Sequence, residues 1–231
     1  NLAWHQVEIP NIMPKPDLMP LTGGYRKTPV MQIGADIFCD SALILAEIER
    51  RFRDLPLITA GHEGLHAMVA SWADRQWFQT SVAVIFGAIG DQVPEAFKKD
   101  REALSGRPFN TDAMKAVAPM MRDQWRAHLS AIEARLDAGR GAGSGNWLLG
   151  SRPGMTDVHA HMNIWFVMNT IPDFGAACLK EAPITRDWYE RLNEVKGQSP
   201  TEMTGAEALE LAKSTSPRLL AATAGTEPQG L

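Results

Sequence analysis

Cysteine is scarce in this chain, and its two copies, Cys39 and Cys178, stand far apart. They make neither a CxxC pair nor a zinc-ligand spacing, which argues against a disulfide-stapled secreted scaffold and fits a reducing, cytoplasmic compartment. Blocks of Lys and Arg are missing as well. With a formal net charge of only -4, neither nucleic acid nor an anionic membrane is an expected partner. Long apolar runs are also lacking: the best candidate, Val82 to Ile89, is far shorter than the roughly 20 residues that span a bilayer. The chain opens on Asn1 with no charged segment leading into an apolar one, so no signal peptide is visible and the sequence reads as a fragment. What it does have is an ordinary globular composition, 45% hydrophobic and 22% charged, enough for a core that needs no staples.

Trp4 to Glu8 alternate as a short strand ended by Pro10, and Pro14, Pro16 and Pro20 break the connection that follows. Val30–Ile33 and Ile37–Cys39 are β-prone runs separated by Gly34, Ala35 and Asp36, which predicts a hairpin. A helix begins at Asp40 or Ser41 and carries Leu43, Ile44, Leu45, Ile48 and Phe52, with Arg50, Arg51 and Arg53 near its C-terminal dipole. Residues 54–64, with Pro56, Gly61 and Gly64, form the best linker. Beyond it only helical periods appear. One helix runs from Leu65 toward Ile89, and a second is marked by Met114, Val117, Met121, Trp125, Leu129, Ile132 and Leu136. Gly139, Gly141, Gly143 and Gly145 end that second helix. A third spans about Met155 to Asn169, a fourth holds Ile184, Trp188, Leu192 and Val195, and a short one covers Gly205 to Ser214. An Ala/Thr/Gly/Pro-rich tail, expected to fray, closes the chain. The predicted class is α+β: a mixed domain over 1–57 and an all-α domain over 58–231.

Arg26, Lys27, Thr28, Pro29, Val30, then Gly34 to Asp36, then Asp40, Ser41, Ala42, Leu43 and Ile44 resemble the glutathione-binding edge of the glutathione transferase family, of bacterial type. Thr28 stands for the usual Val, and Asp40 for the usual Glu or Gln. The resemblance implies a thioredoxin-like N-terminal domain, truncated at its start, followed by an all-helical domain. It further implies a cis bond before Pro29 and pairing of the Thr28 backbone with the cysteinyl backbone of glutathione. Ser41 would receive the γ-glutamyl carboxylate at a helix N-terminus, Asp40 the γ-glutamyl ammonium, and Lys27 with Arg26 the glycyl carboxylate. Leu148 to Gly150 and Pro153 to Asp157 resemble the family's capping motif, with Gly154 as the cap and Asp157 three residues on; its role is structural. The family's thiol-activating Ser, Tyr or Cys lies on an earlier helix, so the catalytic residue is expected upstream of residue 1. The implied reaction joins the glutathione thiol to a small apolar electrophile, or is a related glutathione-dependent reduction, with Trp77, Phe78 and Phe86, and on the capped helix Met162, Trp165 and Phe166, as candidate pocket residues. A homodimer without a metal is expected. The alternative is a non-catalytic transferase-like module that acts in binding or assembly.

His62 to His66 spell HExxH, the helical signature of zinc peptidases. Here it straddles a linker and a first helical turn, contains a glycine and lacks a third ligand downstream. His159 and His161, two apart on a helix, point in different directions and cannot share one metal. Each stripe of aromatic side chains also has the plainer reading of packed core, as does Cys39 inside its short strand.

Overall fold

The computed structural model describes residues 2–54, 56–141 and 145–218. In chain order the elements are β1 (His5–Gln6), α1 (Leu18–Leu21), β2 (Val30–Ile33), β3 (Asp36–Cys39) and α2 (Ser41–Arg51). Next come α3 (Glu63–Ser71), a π-helical stretch (Trp72–Trp77), α4 (Phe78–Ile89), a 3-10 turn (Gly90–Gln92), α5 (Glu95–Ser105) and α6 (Thr111–Gly141). Helices α7 (Met155–Thr170), α8 (Pro172–Glu181) and α9 (Pro183–Glu194) precede β4 (Thr201–Glu202) and α10 (Gly205–Ser214). The chain divides into two units, Asn1–Leu55 together with Gly197–Leu231, and Pro56–Lys196.

In the first unit, β2 and β3 pair antiparallel with Val30 opposite Cys39 and Ile33 opposite Asp36. The loop is therefore Gly34 and Ala35 alone, and Asp36 is the first residue of β3. Gly34 has φ +62°, the left-handed conformation that a two-residue hairpin loop asks of a glycine at its first position. Arg50 and Arg51 do not reach past the end of α2 toward its carbonyls. Both guanidiniums turn back to the buried Glu47, with nitrogen–oxygen distances of 2.7 Å, and Arg218 joins them as a third arginine at 3.2 Å.

The strand expected over Trp4 to Glu8 shrinks to His5–Gln6, and its partner comes from the far end of the chain. His5 pairs with Thr201 and Gln6 with Glu202, in parallel. A parallel pair needs a long crossover, and here the whole helical unit serves as one. Residues 197–218 thus belong with the first unit, and the division expected at 57/58 with everything after it helical gives way to one at 55/56 and a second at 196/197. The returning segment is held by the Gln32 side chain, which donates to the Ala208 carbonyl at 2.8 Å, and by the Arg218 N–H, which donates to the Asp36 carboxylate at 2.9 Å. Thr204 and Glu207 form a reciprocal capping box at the start of α10. Of the tail after Ser214 expected to fray, residues 215–218 are described, with Arg218 bonded to Asp36, and 219–231 lie outside the described residues.

The second unit is all helical. α3, the π stretch and α4 form one continuous rod, and α6 runs antiparallel alongside it with Trp125, Leu129, Ile132 and Leu136 turned inward, all buried. Those positions repeat at three and four residues, as the sequence implies. Gly87 and Gly90 set how near the two rods come: a β-carbon on Gly87 would stand 2.8 Å from the Met114 carbonyl oxygen, and one on Gly90 2.6 Å from Thr111. Ala160, Ile164 and Val167 of α7 and Trp188 of α9 complete the core. Two helices were not legible: α5, whose charged sequence hides its apolar face, and α8, which begins at Pro172 immediately after the break at Ile171. Of the loop glycines, Gly143 lies outside the described residues, Gly141 ends α6, and Gly145 has φ +86°.

Candidate functional site

The hairpin register brings the predicted binding residues together. Because Val30 faces Cys39, the residues before β2 and those after β3 lie at the same end of the hairpin: Thr28 and Pro29 on one strand, Asp40 and Ser41 on the other. The Thr28–Pro29 bond is cis. Lys27, Thr28, Pro29, Asp40 and Ser41 are all exposed, whereas Arg26 is half-buried and its carbonyl accepts from the Lys15 ammonium at 3.0 Å.

Asp40 has φ +78° and ψ +131°, a conformation that costs a residue with a β-carbon about 1–3 kcal/mol. Its carboxylate accepts from the Ala42 N–H at 2.8 Å, capping α2. Ser41 then opens the helix, at the end where backbone N–H groups and the macrodipole favour an anion. A carboxylate, a strained backbone and a helix N-terminus thus share one exposed corner with a strand entrance.

Two members of this neighbourhood escaped the sequence reading. Tyr25 lies near enough to Asp40 and Cys39 that, after burial itself, those two groups raise its pKa. Lys15 is buried beneath the segment leading to Pro29. Both occur in the proline-broken connection, where no periodicity marks them. Cys39 is half-buried in β3 and burial raises its thiol pKa, the behaviour of a packed thiol and not of an activated one.

In the helical unit, Asp157 is fully buried and accepts three hydrogen bonds: from the Leu148 N–H at 2.9 Å, the Gly154 N–H at 3.0 Å and the Trp188 indole at 2.8 Å. Burial raises its pKa against those contacts. Gly154 has no side chain to complete the cap, and the reason is local: a β-carbon there would stand 3.0 Å from the Leu57 carbonyl oxygen, which already accepts from Met155 N–H at 2.8 Å.

The aromatic candidates divide. Trp77 has no exposed surface and packs in the core between Trp72 and Trp125, so it lines no surface pocket. Phe86 is half-buried and packs against Phe97, Phe109 and Phe166. Phe78 is 38% exposed and stacks on Phe166, while Met162 and Trp165 on α7 are 56% and 50% exposed. HExxH is used up as a helix start: His62 precedes α3, and Glu63 accepts from the Gly61 N–H at 3.1 Å.

A cis-proline hairpin leading into a capped helix, joined to an all-helical unit, defines the class of thioredoxin-like domains with a helical second domain. The family model described as glutathione S-transferase, N-terminal domain, matches residues 1–56, and a domain of unknown function (DUF7962) matches residues 89–200. A GST-like protein from Pseudomonas syringae is 30% identical with a TM-score of 0.75, over 100% of this chain and 72% of that one. Glutathione transferase GSTFuA3 from Phanerochaete chrysosporium is 15% identical with a TM-score of 0.60, over 76% and 73% of the two chains. A glutathione S-transferase from Rhodospirillum rubrum F11 is 15% identical with a TM-score of 0.54, over 82% and 79%. No curated protein matches. The chain belongs to the glutathione S-transferase family. Among the described residues no helix is long and apolar enough to cross a membrane.

Proposed function

We propose that this protein binds glutathione at the Pro29/Ser41 end of the hairpin and presents its thiol to a small apolar electrophile. The observation that carries this reading is the register Val30 to Cys39, which sets the Thr28 backbone beside the Asp40–Ser41 helix start. In this reading the Thr28 N–H and C=O pair with the tripeptide backbone as a short added strand. Ser41 and the first turn of α2 take the γ-glutamyl carboxylate, Asp40 the γ-glutamyl ammonium, and Lys27 with Arg26 the glycyl carboxylate. Tyr25 joins as a neighbour of Asp40. Within the helical unit, Phe78 and the half-buried Phe86 stay as candidate electrophile contacts, whereas the fully buried Trp77 does not. The protein is expected to act as a homodimer.

The test is calorimetric titration of the full-length protein with glutathione, followed by an aryl-halide conjugation assay. Ser41→Ala should weaken glutathione binding about tenfold, the worth of one charge-assisted hydrogen bond, with an unchanged melting temperature because Ser41 is exposed. Equal affinity in the variant would remove Ser41 from the site. Binding without conjugation of any electrophile would favour the non-catalytic module.

A further inference from the structure

In the helical unit, the rod from Glu63 to Ile89 and helix α6 meet along a surface groove. Gln76 and Gln79 of the rod and Met121, Gln124, Ala127 and His128 of α6 surround a hollow there of about 440 Å³. Its lining carries no charge. The Trp72 indole can only donate, and it donates to His128 Nδ1 at 3.1 Å, which keeps that imidazole neutral; burial lowers the His128 pKa in the same sense. The carboxamides of Gln76, Gln79 and Gln124 are exposed and have no hydrogen-bond partner among the described residues. Apolar side chains continue both stripes. Steps of three and four lead from Trp72 back to Met68 and Leu65, and from Gln124 back to Met120 and Val117. All four are exposed, Met68 at 71% and Met120 at 53%. Because Trp72 lies beside His128 and Gly87 beside Met114, the two stripes run antiparallel, and these apolar pairs stand at opposite ends of the hollow. From Thr111 to Ala134 the charged residues of α6 are Asp112, Lys115, Arg122, Asp123, Arg126 and Glu133, and turns of 100° per residue put all of them on the other flank. Arg75 and Arg135 are the charged neighbours of the stripes, with side chains long enough to turn to solvent.

We propose that a second copy of this chain covers this face, about a two-fold axis passing through the carboxamide hollow. The inference rests on the homodimer expected above and gives it a surface. A two-fold interface must be complementary to itself, and this face meets that condition in both of its parts. Rotation about the hollow lays the Leu65–Met68 end of one copy on the Val117–Met120 end of the other, apolar on apolar. It also sets carboxamide against carboxamide, and a carboxamide both donates and accepts, so identical groups can satisfy one another across an axis. A charged centre would repel its own image. The size is adequate too. From Ala113 to Ala131 the face is about 27 Å long, and two adjacent helices with their side chains make it about 20 Å wide. With the relief of the side chains counted, that is on the order of the roughly 800 Å² per partner of a stable interface.

The experiment is sedimentation velocity of the full-length protein over a concentration series, with glutathione titrated into the same samples. Wild type should sediment at twice the chain mass at micromolar concentration. Gln124→Glu puts two like charges beside the axis and should weaken the dimer at least tenfold, as should Met68→Glu and Met120→Glu at the apolar ends. All three positions are exposed, so the melting temperature of the separated chains should hold; if one variant does not fold, the other two read the same face. Lys115→Glu, on the opposite flank, is the control and should dimerise as wild type does. A Met68→Cys/Met120→Cys double variant should form a cross-linked dimer on mild oxidation, because within one chain the two positions are roughly 18 Å apart along the rod, too far for a disulfide. A monomeric wild type overturns both this face and the homodimer. A wild-type dimer that withstands all three charges, or whose double variant does not cross-link, overturns the face and leaves the homodimer standing. Failure to bind glutathione, in a dimer that these charges split, strikes the binding reading alone.

Discussion

Asp40 is the residue where stability and function pull apart. Its positive φ and extended ψ suit glycine, so Asp40→Gly should raise stability by up to about 1 kcal/mol: the backbone relaxes, and glycine costs only a few tenths as a cap. The same change should weaken glutathione binding; a chemical melt and a titration on one sample read both. At Asp157 the expectation is opposite. An asparagine offers one acceptor oxygen to three donors, so Asp157→Asn should cost about 2–4 kcal/mol in urea unfolding. Gly154→Ser would restore a family-like cap yet drive a β-carbon against the Leu57 carbonyl, and a net loss of about 1 kcal/mol is expected. The binding residues were legible because they sit at fixed steps around a proline, a two-residue turn and a helix start. Tyr25 and Lys15 were not, because their place depends on how an irregular segment folds back. Nor was the burial of Trp77: an aromatic stripe looks the same whether it faces solvent or core, and only packing against Trp72 and Trp125 decides.

Among the elements, the helices that could be read are those with an unbroken apolar period, and α6 is the clearest case. The rod from Glu63 to Ile89 was legible as a helix but its π-helical middle was not, since one extra residue per turn leaves no mark in composition. That widened turn places Ala73, whose carbonyl accepts from the Asn163 amide at 3.0 Å, opposite α7. Ser81 then ties three helices together: its hydroxyl lies 3.0 Å from the Asn163 side-chain oxygen and accepts from the Trp125 indole at 3.1 Å. The close approach of α4 to α6 rests on Gly87. Gly87→Ala forces a methyl group against the Met114 carbonyl, and a loss of about 2–3 kcal/mol in denaturant unfolding is expected, as for other overpacked contacts.

For the molecule as a whole, the acid limb of stability should carry the signature of Glu47. The hydrogen bond from Arg50, with those from its other arginine partners, brings the Glu47 pKa from 4.5 to about 2. The folded value lies below the unfolded one, so the unfolded chain binds more protons between these limits. Stability from this group is therefore complete above about 4.5 and is lost as the pH falls toward 2. Urea unfolding at pH 6 and pH 3 should show a larger loss for wild type than for Glu47→Gln. Domain order was legible from the linker and the switch from β-prone to helical periods. The return of the chain terminus was not, because a two-residue strand with exposed side chains carries no hydrophobic pattern.

The parallel pairing of His5–Gln6 with Thr201–Glu202 also bears on synthesis. A ribosome delivers residue 5 long before residue 201, so the first unit has to wait, with one strand pairless, until the helical unit has left the exit tunnel. This pairing predicts that the usual order, in which the amino-terminal domain folds first, is reversed. On nascent chains stalled when residue 196 has just left the exit tunnel, the helical unit should resist protease while the hairpin unit is cut, and extension until residue 218 has also emerged should protect both.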